Sequence, residues 1–163
     1  MHISHENLLR VLEYSPSSGN FTWRYSRGTK LKGSTAGTVT PTGYITIMLN
    51  RKNYAAHRLA WFYVHKEWPE EDIDHVNRIG TDNRILNLRA ATKSQNQYNT
   101  GLSKNNSSGY KGVYFNKRDG RYVAQIMIEG KRISLGTHLT AFDAHDAYQK
   151  ASLTYHGEFS SEM

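Results

Sequence analysis

Between Asn99 and Tyr110 the chain reads Asn-Thr-Gly-Leu-Ser-Lys-Asn-Asn-Ser-Ser-Gly, a run of small polar residues with a single apolar side chain. Such a stretch has almost nothing to bury and reads as a linker. It constrains the fold more than any other feature. It sets a boundary near residues 100 to 108 and divides 163 residues into a module over 1–100, a linker over 101–108 and a module over 109–163. Modules of that size are marginal unless they pack well. The 11 Tyr, 5 Phe and 3 Trp supply rings for small cores and argue against disorder.

Cysteine is absent, which excludes disulfides, thiol nucleophiles and cysteine-based metal sites. Any metal must therefore sit on His, Asp, Glu or Asn. No apolar run approaches the roughly 18 to 20 residues that span a bilayer, and residues 1–10 have no signal-peptide core. The expectation is a cytoplasmic protein with no membrane partner. The formal charge is +7, and it is uneven. Lys104, Lys111, Lys117, Arg118, Arg121, Lys131 and Arg132 face only Asp119 and Glu129, whereas residues 134–163 carry Lys150 against Asp143, Asp146, Glu158 and Glu162. A basic patch thus ends where an acidic-leaning segment begins, which points to a polyanionic partner.

The pattern of apolar residues predicts a short helix over His5–Tyr14, a strand over Asn20–Tyr25, and a hairpin of Gly43–Leu49 and Asn53–Ala56 around the turn at Asn50–Arg51–Lys52. Arg58–Lys66 predicts a buried helix stopped before Pro69, with Trp61 as its aromatic anchor. After the linker, Gly112–Phe115, Tyr122–Ile128 and Arg132–Leu135 read as strands separated by Asp119–Gly120 and Glu129–Gly130, both hairpin-turn pairs. Thr140-Ala-Phe-Asp143 opens a helix, with Ala141, Ala144, Ala147, Tyr148 and Ala151 as its small-residue face and Gly157 at its end. The fold class is α+β.

The segment Ile73–Thr100 concentrates the polar chemistry: IDHVNRIGTDNRILNLRAATKSQNQYNT. Asp74 and His75 are adjacent, Asp82-Asn83-Arg84 forms a turn after Gly80, the Asn87 amide can tie two backbone segments, and Thr92 can cap a helix holding Gln95, Asn96 and Asn99. Cutting a phosphodiester requires an activated water, neutralised phosphate charge and a stabilised leaving oxygen. A neutral His meets the first need, and a divalent ion on hard oxygen ligands meets the others. An Asp carboxylate with an Asn amide oxygen suits Mg²⁺ or Mn²⁺ better than zinc.

The run D-H-x-N-x-x-x-x-D-N-R-x-x-N-L-R-x-A-T-x-x-x-N resembles the HNH endonuclease family, in the subset whose third letter is Asn. The flanking A-H-R-L-A-W and E-Y-S-P-S-S-G-N-F-T-W resemble phage members, homing endonucleases among them. The resemblance implies a ββα-metal domain over 1–100 with its core motif at 57–100. His75 would be the general base, Asp74 and Asn96 the ligands of one Mg²⁺ or Mn²⁺, and Asn87 a brace. Arg84 and Arg89 are candidate phosphate clamps or, equally, structural ion-pair partners. His57, ahead of Arg58, is a candidate for a supporting role near the site.

A second resemblance covers Ser108–Phe159. Gly-Tyr-Lys-Gly-Val-Tyr, Gly-Arg-Tyr-Val-Ala-Gln-Ile, Ser-Leu-Gly-Thr-His and Ala-Phe-Asp-Ala-His-Asp-Ala-Tyr are similar to the Apetala/ethylene-response-factor DNA-binding domain, in which a three-stranded antiparallel sheet backed by one helix enters the major groove. Matching positions imply contacts from Lys111, Tyr114, Asn116, Arg118, Arg121, Gln125 and Arg132. Gly112, Ala124, Leu135, Gly136, Ala144 and Tyr148 read as fold residues. The sequence therefore predicts a metal-dependent endonuclease that docks on double-stranded DNA as a monomer or weak dimer, in the host cytoplasm if phage-encoded. Its rival is a DNA-binding regulator on an inactive nuclease scaffold.

Overall fold

The computed structural model describes residues 2–26 and 28–160. The chain forms two compact units, Met1–Ala91 and Thr92–Met163.

The first unit opens with helix α1 (His5–Val11), capped by the Ser4 hydroxyl on the Asn7 amide. The chain leaves the helix at Leu12 and pairs as β1 (Leu12–Tyr14) with β2 (Phe21–Trp23). The helix expected through Tyr14 is therefore shorter. Leu8, Leu9, Val11 and Leu12 fit helical spacing, but Leu12 and Tyr14 also alternate, and pairing opposite Trp23 and Phe21 buries both. A second sheet holds β3 (Thr38–Val39), β4 (Ile45–Leu49) and β5 (Lys52–Ala55), in that spatial order. Asn50 and Arg51 both take positive φ, 50° and 63°, the geometry of a two-residue hairpin turn.

Helix α2 (Ala56–His65) ends at Lys66 in the left-handed conformation. Its buried anchors are Leu59 and Phe62, whereas Trp61 is half-buried and lies against His65 with ring centroids 4.2 Å apart. The expected anchor is thus displaced by one residue, because Leu59 and Phe62 fall on the stripe that faces the sheets and Trp61 does not. Strands β6 (Asp72–His75) and β7 (Leu88–Ala91) pair antiparallel, with a 3-10 turn over Ile85–Asn87 between them. Leu8, Leu12, Phe21, Ile47, Leu59, Phe62 and Ile73 meet in one core.

The second unit begins with helix α3 (Lys93–Tyr98). The Thr92 hydroxyl accepts from the Gln95 amide while the Gln95 side chain accepts from the Thr92 amide, a complete capping box. Strands β8 (Val113–Asn116), β9 (Arg121–Ile128) and β10 (Lys131–His138) form an antiparallel sheet with β9 central, packed on helix α4 (Ala141–His156). The β10 register shifts between Ser134 and Thr137, where Gly136 takes φ 103°, so the strand runs on past Leu135 through a bulge. Val113, Ala124 and Ala144 form the core, flanked by Tyr110, Tyr122, Leu135 and Ala147. Gly112 admits no side chain: a methyl there would lie 2.1 Å from the Tyr148 ring and 2.7 Å from the Gln125 carbonyl.

The polar run before β8 folds into turns of this unit. The Asn106 amide donates to the Tyr110 carbonyl at 2.7 Å, and the Ser108 hydroxyl donates to the Val113 carbonyl at 2.8 Å. Helix α3 is clasped in the same unit. Tyr98 stacks on His156 at 3.7 Å and 7°, its hydroxyl accepts from the Glu129 amide at 2.9 Å, and Lys111 Nζ donates to the Tyr98 and Thr100 carbonyls at 2.6 Å. His156 in turn donates from Nε2 to the Met127 carbonyl at 2.9 Å. Among the described residues no helix is long and apolar enough to cross a membrane.

Candidate active site and nucleic-acid interface

Strand β6 places Asp74 opposite Arg89 and His75 opposite Leu88. Successive strand residues point to opposite faces, so Asp74 and His75 leave the hairpin on different sides. Both are buried, 5% and 4% exposed. Asp74 Oδ2 accepts from Arg89 Nε at 2.9 Å and Nη2 at 2.8 Å. Charge-assisted bonds of this kind are strong where water is excluded.

Beyond His75 the chain turns through Arg78, whose amide donates to the His75 carbonyl at 2.8 Å, and whose φ is 62°. Asn87 ties the turn across its base: Oδ1 accepts from the Asn77 amide at 3.0 Å and Nδ2 donates to the Asp82 carbonyl at 2.7 Å. One side chain thus joins two backbone segments that have no strand pairing of their own. Arg84 folds back on Asp82 through Nε at 2.8 Å and through Nη2. That hydrogen bond, ahead of the Asn77 amide and the Arg84 charge, lowers the Asp82 carboxyl to about 2.

His75 is held by a residue that sequence reading treated only as part of a turn. Its Nε2 lies 3.1 Å from Oδ1 of Asn83, which is fully buried. The Asn83 amide nitrogen donates to the Thr81 carbonyl at 3.4 Å, which fixes the amide with its oxygen toward the ring. An amide oxygen only accepts, so Nε2 is the donor in this bond, and in the neutral ring the lone pair then lies on Nδ1. The Tyr14 hydroxyl, at the end of β1, donates to the Asn83 carbonyl at 2.7 Å. Burial raises the Tyr14 phenol to about 12, so it stays a donor. Gly19 closes the support: at φ 75°, a methyl there would lie 2.5 Å from the Arg84 amide nitrogen. The signal for this arrangement was the D-N-R triplet, but nothing local says which of its side chains turns inward.

His57, at the start of α2, presents its ring edge to His75 with centroids 5.1 Å apart, and Tyr44 lies 5.7 Å from both. Burial first, then the electrostatic influence of His75 and Arg58, lowers His57 to about 4, so it is neutral near pH 7. Its Nδ1 is buried with no hydrogen-bond partner among the described residues. The A-H-R-L run is where the sequence pointed to it.

Asn96 lies half-buried on α3 in the second unit, where its amide donates to the Thr92 carbonyl at 2.9 Å. The hairpin of the first unit thus gathers Asp74, His75, Asn87 and Arg89, with Arg84 in its connecting loop. Asp74 supplies a buried carboxylate, a hard oxygen donor of the kind a divalent cation takes. Among the described residues no three His, Asp or Glu gather as a cage. A cation here would complete its shell with water and phosphate oxygens, as Mg²⁺ does.

In the second unit the register sorts the sheet residues by face. Val113 pairs with Ala124, and both are buried toward α4. The alternate set faces outward: Tyr114 pairs with Val123, Asn116 with Arg121, Ser134 with Gln125 and Arg132 with Met127. Tyr114, Asn116, Arg121, Gln125 and Arg132 therefore share one face. Lys111 lies before β8 in the α3 clasp. Arg118 sits in the β8–β9 turn, where Nε donates to Asp119 Oδ1 at 2.8 Å and Asn116 Nδ2 donates to Asp119 Oδ2 at 2.7 Å.

Residues 54–98 match the family model of an HNH endonuclease, and residues 108–158 match that of the AP2 domain. Comparison with curated proteins finds no match.

Proposed function

From an HNH endonuclease domain followed by an AP2 DNA-binding domain on one chain, we propose a metal-dependent DNA endonuclease. His75 takes a proton from the attacking water, and the phosphodiester opens to leave a 5′-phosphate and a 3′-hydroxyl. Asp74 and Asn96 would hold a divalent cation, Mg²⁺ or Mn²⁺, which would supply neutralisation of phosphate charge and support for the departing 3′ oxygen. Asn87 braces the loop that follows His75. Arg84 and Arg89 clamp phosphates. Lys111, Tyr114, Asn116, Arg118, Arg121, Gln125 and Arg132 dock the AP2 domain on duplex DNA, sheet toward the major groove.

The observation that carries this reading is the hold on His75. Its ring is buried, its tautomer is set by Asn83 Oδ1 at 3.1 Å, and Asn83 is itself set by Tyr14. A surface histidine needs no such support, whereas a general base must present one defined nitrogen to water. Division of labour follows, since a single cutting site meets mainly backbone and the sheet reads the groove. A monomer with one such centre nicks one strand per engagement. Incubating the protein with supercoiled plasmid should convert it to nicked circles with Mg²⁺ and not with EDTA. Tight duplex binding without nicking in Mg²⁺ or Mn²⁺ would overturn the reading and leave a DNA-binding regulator.

A further inference from the structure

Asp74, read above as a cation ligand, already holds a cation that belongs to the chain. Arg89 sits directly across the β6–β7 ladder, and its Nε and Nη2 both reach the same oxygen, Oδ2, at 2.9 and 2.8 Å. The side chains are 14% and 6% exposed, so water screens the pair little. A guanidinium remains charged wherever the protein is folded, so it cannot yield its place by losing a proton.

A divalent ion that shared Asp74 with this guanidinium would gather three positive charges around one carboxylate in poorly screened surroundings. Negative charge arriving with the substrate would balance them. A DNA phosphodiester brings that negative charge. Its paired oxygens also match the flat donor fork of arginine as well as a carboxylate does.

We propose that Arg89 guards the cation site, pairing with Asp74 in the DNA-free protein and passing to a substrate phosphate when a divalent cation loads. The proposal rests on the reading of Asp74 as a cation ligand. It makes cation and DNA binding mutually reinforcing by one common factor, as linkage requires. The protein without DNA binds the cation weakly, and DNA relieves the competition. The alternative is that the pair only cements the hairpin. In that case loss of Arg89 loosens β6–β7, and cation affinity falls or stays level.

Titrating the full-length protein with Mn²⁺ in the absence of DNA, with free Mn²⁺ read by electron paramagnetic resonance, separates these cases. Arg89→Gln should bind Mn²⁺ at least tenfold more tightly than the parent, a gain that misfolding cannot produce. Arg89→Lys keeps the charge and should stay within threefold of the parent. Adding Asp74→Asn to Arg89→Gln should abolish the gain. If Arg89→Gln binds no more tightly while Asp74→Asn alone still weakens Mn²⁺, the guard is overturned and the metal reading stands. If Asp74→Asn changes nothing in either background, the metal reading fails and the guard with it.

Discussion

The polar groups of the two units are held in opposite ways. In the first unit Asp74, His75, Asn83 and Asn87 are buried at 7% exposure or less, with Asp74 tied to Arg89, His75 to the Asn83 side chain, and Asn87 to the Asn77 and Asp82 backbone. In the second, Arg121 and Arg132 stand exposed on the outer face of the sheet, and Arg118 leans on Asp119 in a turn. Buried polar groups must be satisfied at fixed positions, because each unmade bond there carries its full desolvation cost. Exposed ones remain free to adapt to an irregular polyanion. The first arrangement suits a reaction that needs a defined proton acceptor, and the second suits docking.

Glycines at close approaches give the sharpest test of this contrast, since each unit has one. Gly112→Ala should cost about 3 kcal/mol or more, because positive φ is combined with a clash against Tyr148 and backbone. Calorimetry should show the second unit unfolding first and duplex affinity lost. Gly19→Ala, which meets the backbone at Asn83–Arg84, should instead abolish cutting while duplex binding persists. If both substitutions fail in the same way, the units are not separable.

Asn83→Ala should cost about 1 to 3 kcal/mol by leaving buried polar groups unpaired. It should also lower kcat far more than it alters DNA affinity, and it should shift the pH profile of cutting, which a merely structural asparagine would not do. Acid should weaken the first unit as well. His57 titrates near 4 when folded and near 6.5 when unfolded, so between those values the unfolded chain binds the extra proton. Stability therefore falls as pH drops from about 6.5 to 4, by at most about 3 kcal/mol from this group. Thermal melts of His57→Gln across that range should show a flatter dependence.

The smallest effects belong to the exposed face. Arg121→Ala should reduce the slope of log affinity against log salt by about 1, with no change in melting temperature. Arg118→Ala should do less, because Asp119 already shares its charge. Equal losses at the two positions would place the turn and the strand face on the same footing.

How much of this was legible in the sequence follows the same division. Turn chemistry at Asn50–Arg51 and Glu129–Gly130 located two hairpins, since positive φ has few solutions. The three strands and helix α4 of the second unit were legible because their apolar spacing is local, apart from the bulge that carries β10 past Leu135. Strand β1 did not, because Leu12 satisfies both periods until Trp23 pairs with it. Strand β3 is two exposed residues between glycine-containing turns and carries no pattern of its own. At the site, Asp74, His75 and Asn87 stood out through the spaced motif. Asn83 and Tyr14 did not, since a hydrogen bond across 69 residues leaves no mark on local sequence. The Asp74–Arg89 pair was open as one of two readings of Arg89, and only the β6–β7 register decides that they meet.

The central claim is that His75 performs chemistry and does not merely help the protein hold DNA. Single-turnover cleavage of an end-labelled duplex in Mg²⁺, measured beside duplex affinity for the parent and for His75→Ala, tests it most directly. The account predicts cut ends bearing 5′-phosphate and 3′-hydroxyl from the parent, and no detectable cutting by His75→Ala at unchanged affinity. Cutting that survives in His75→Ala, or that disappears only together with DNA binding, would contradict it.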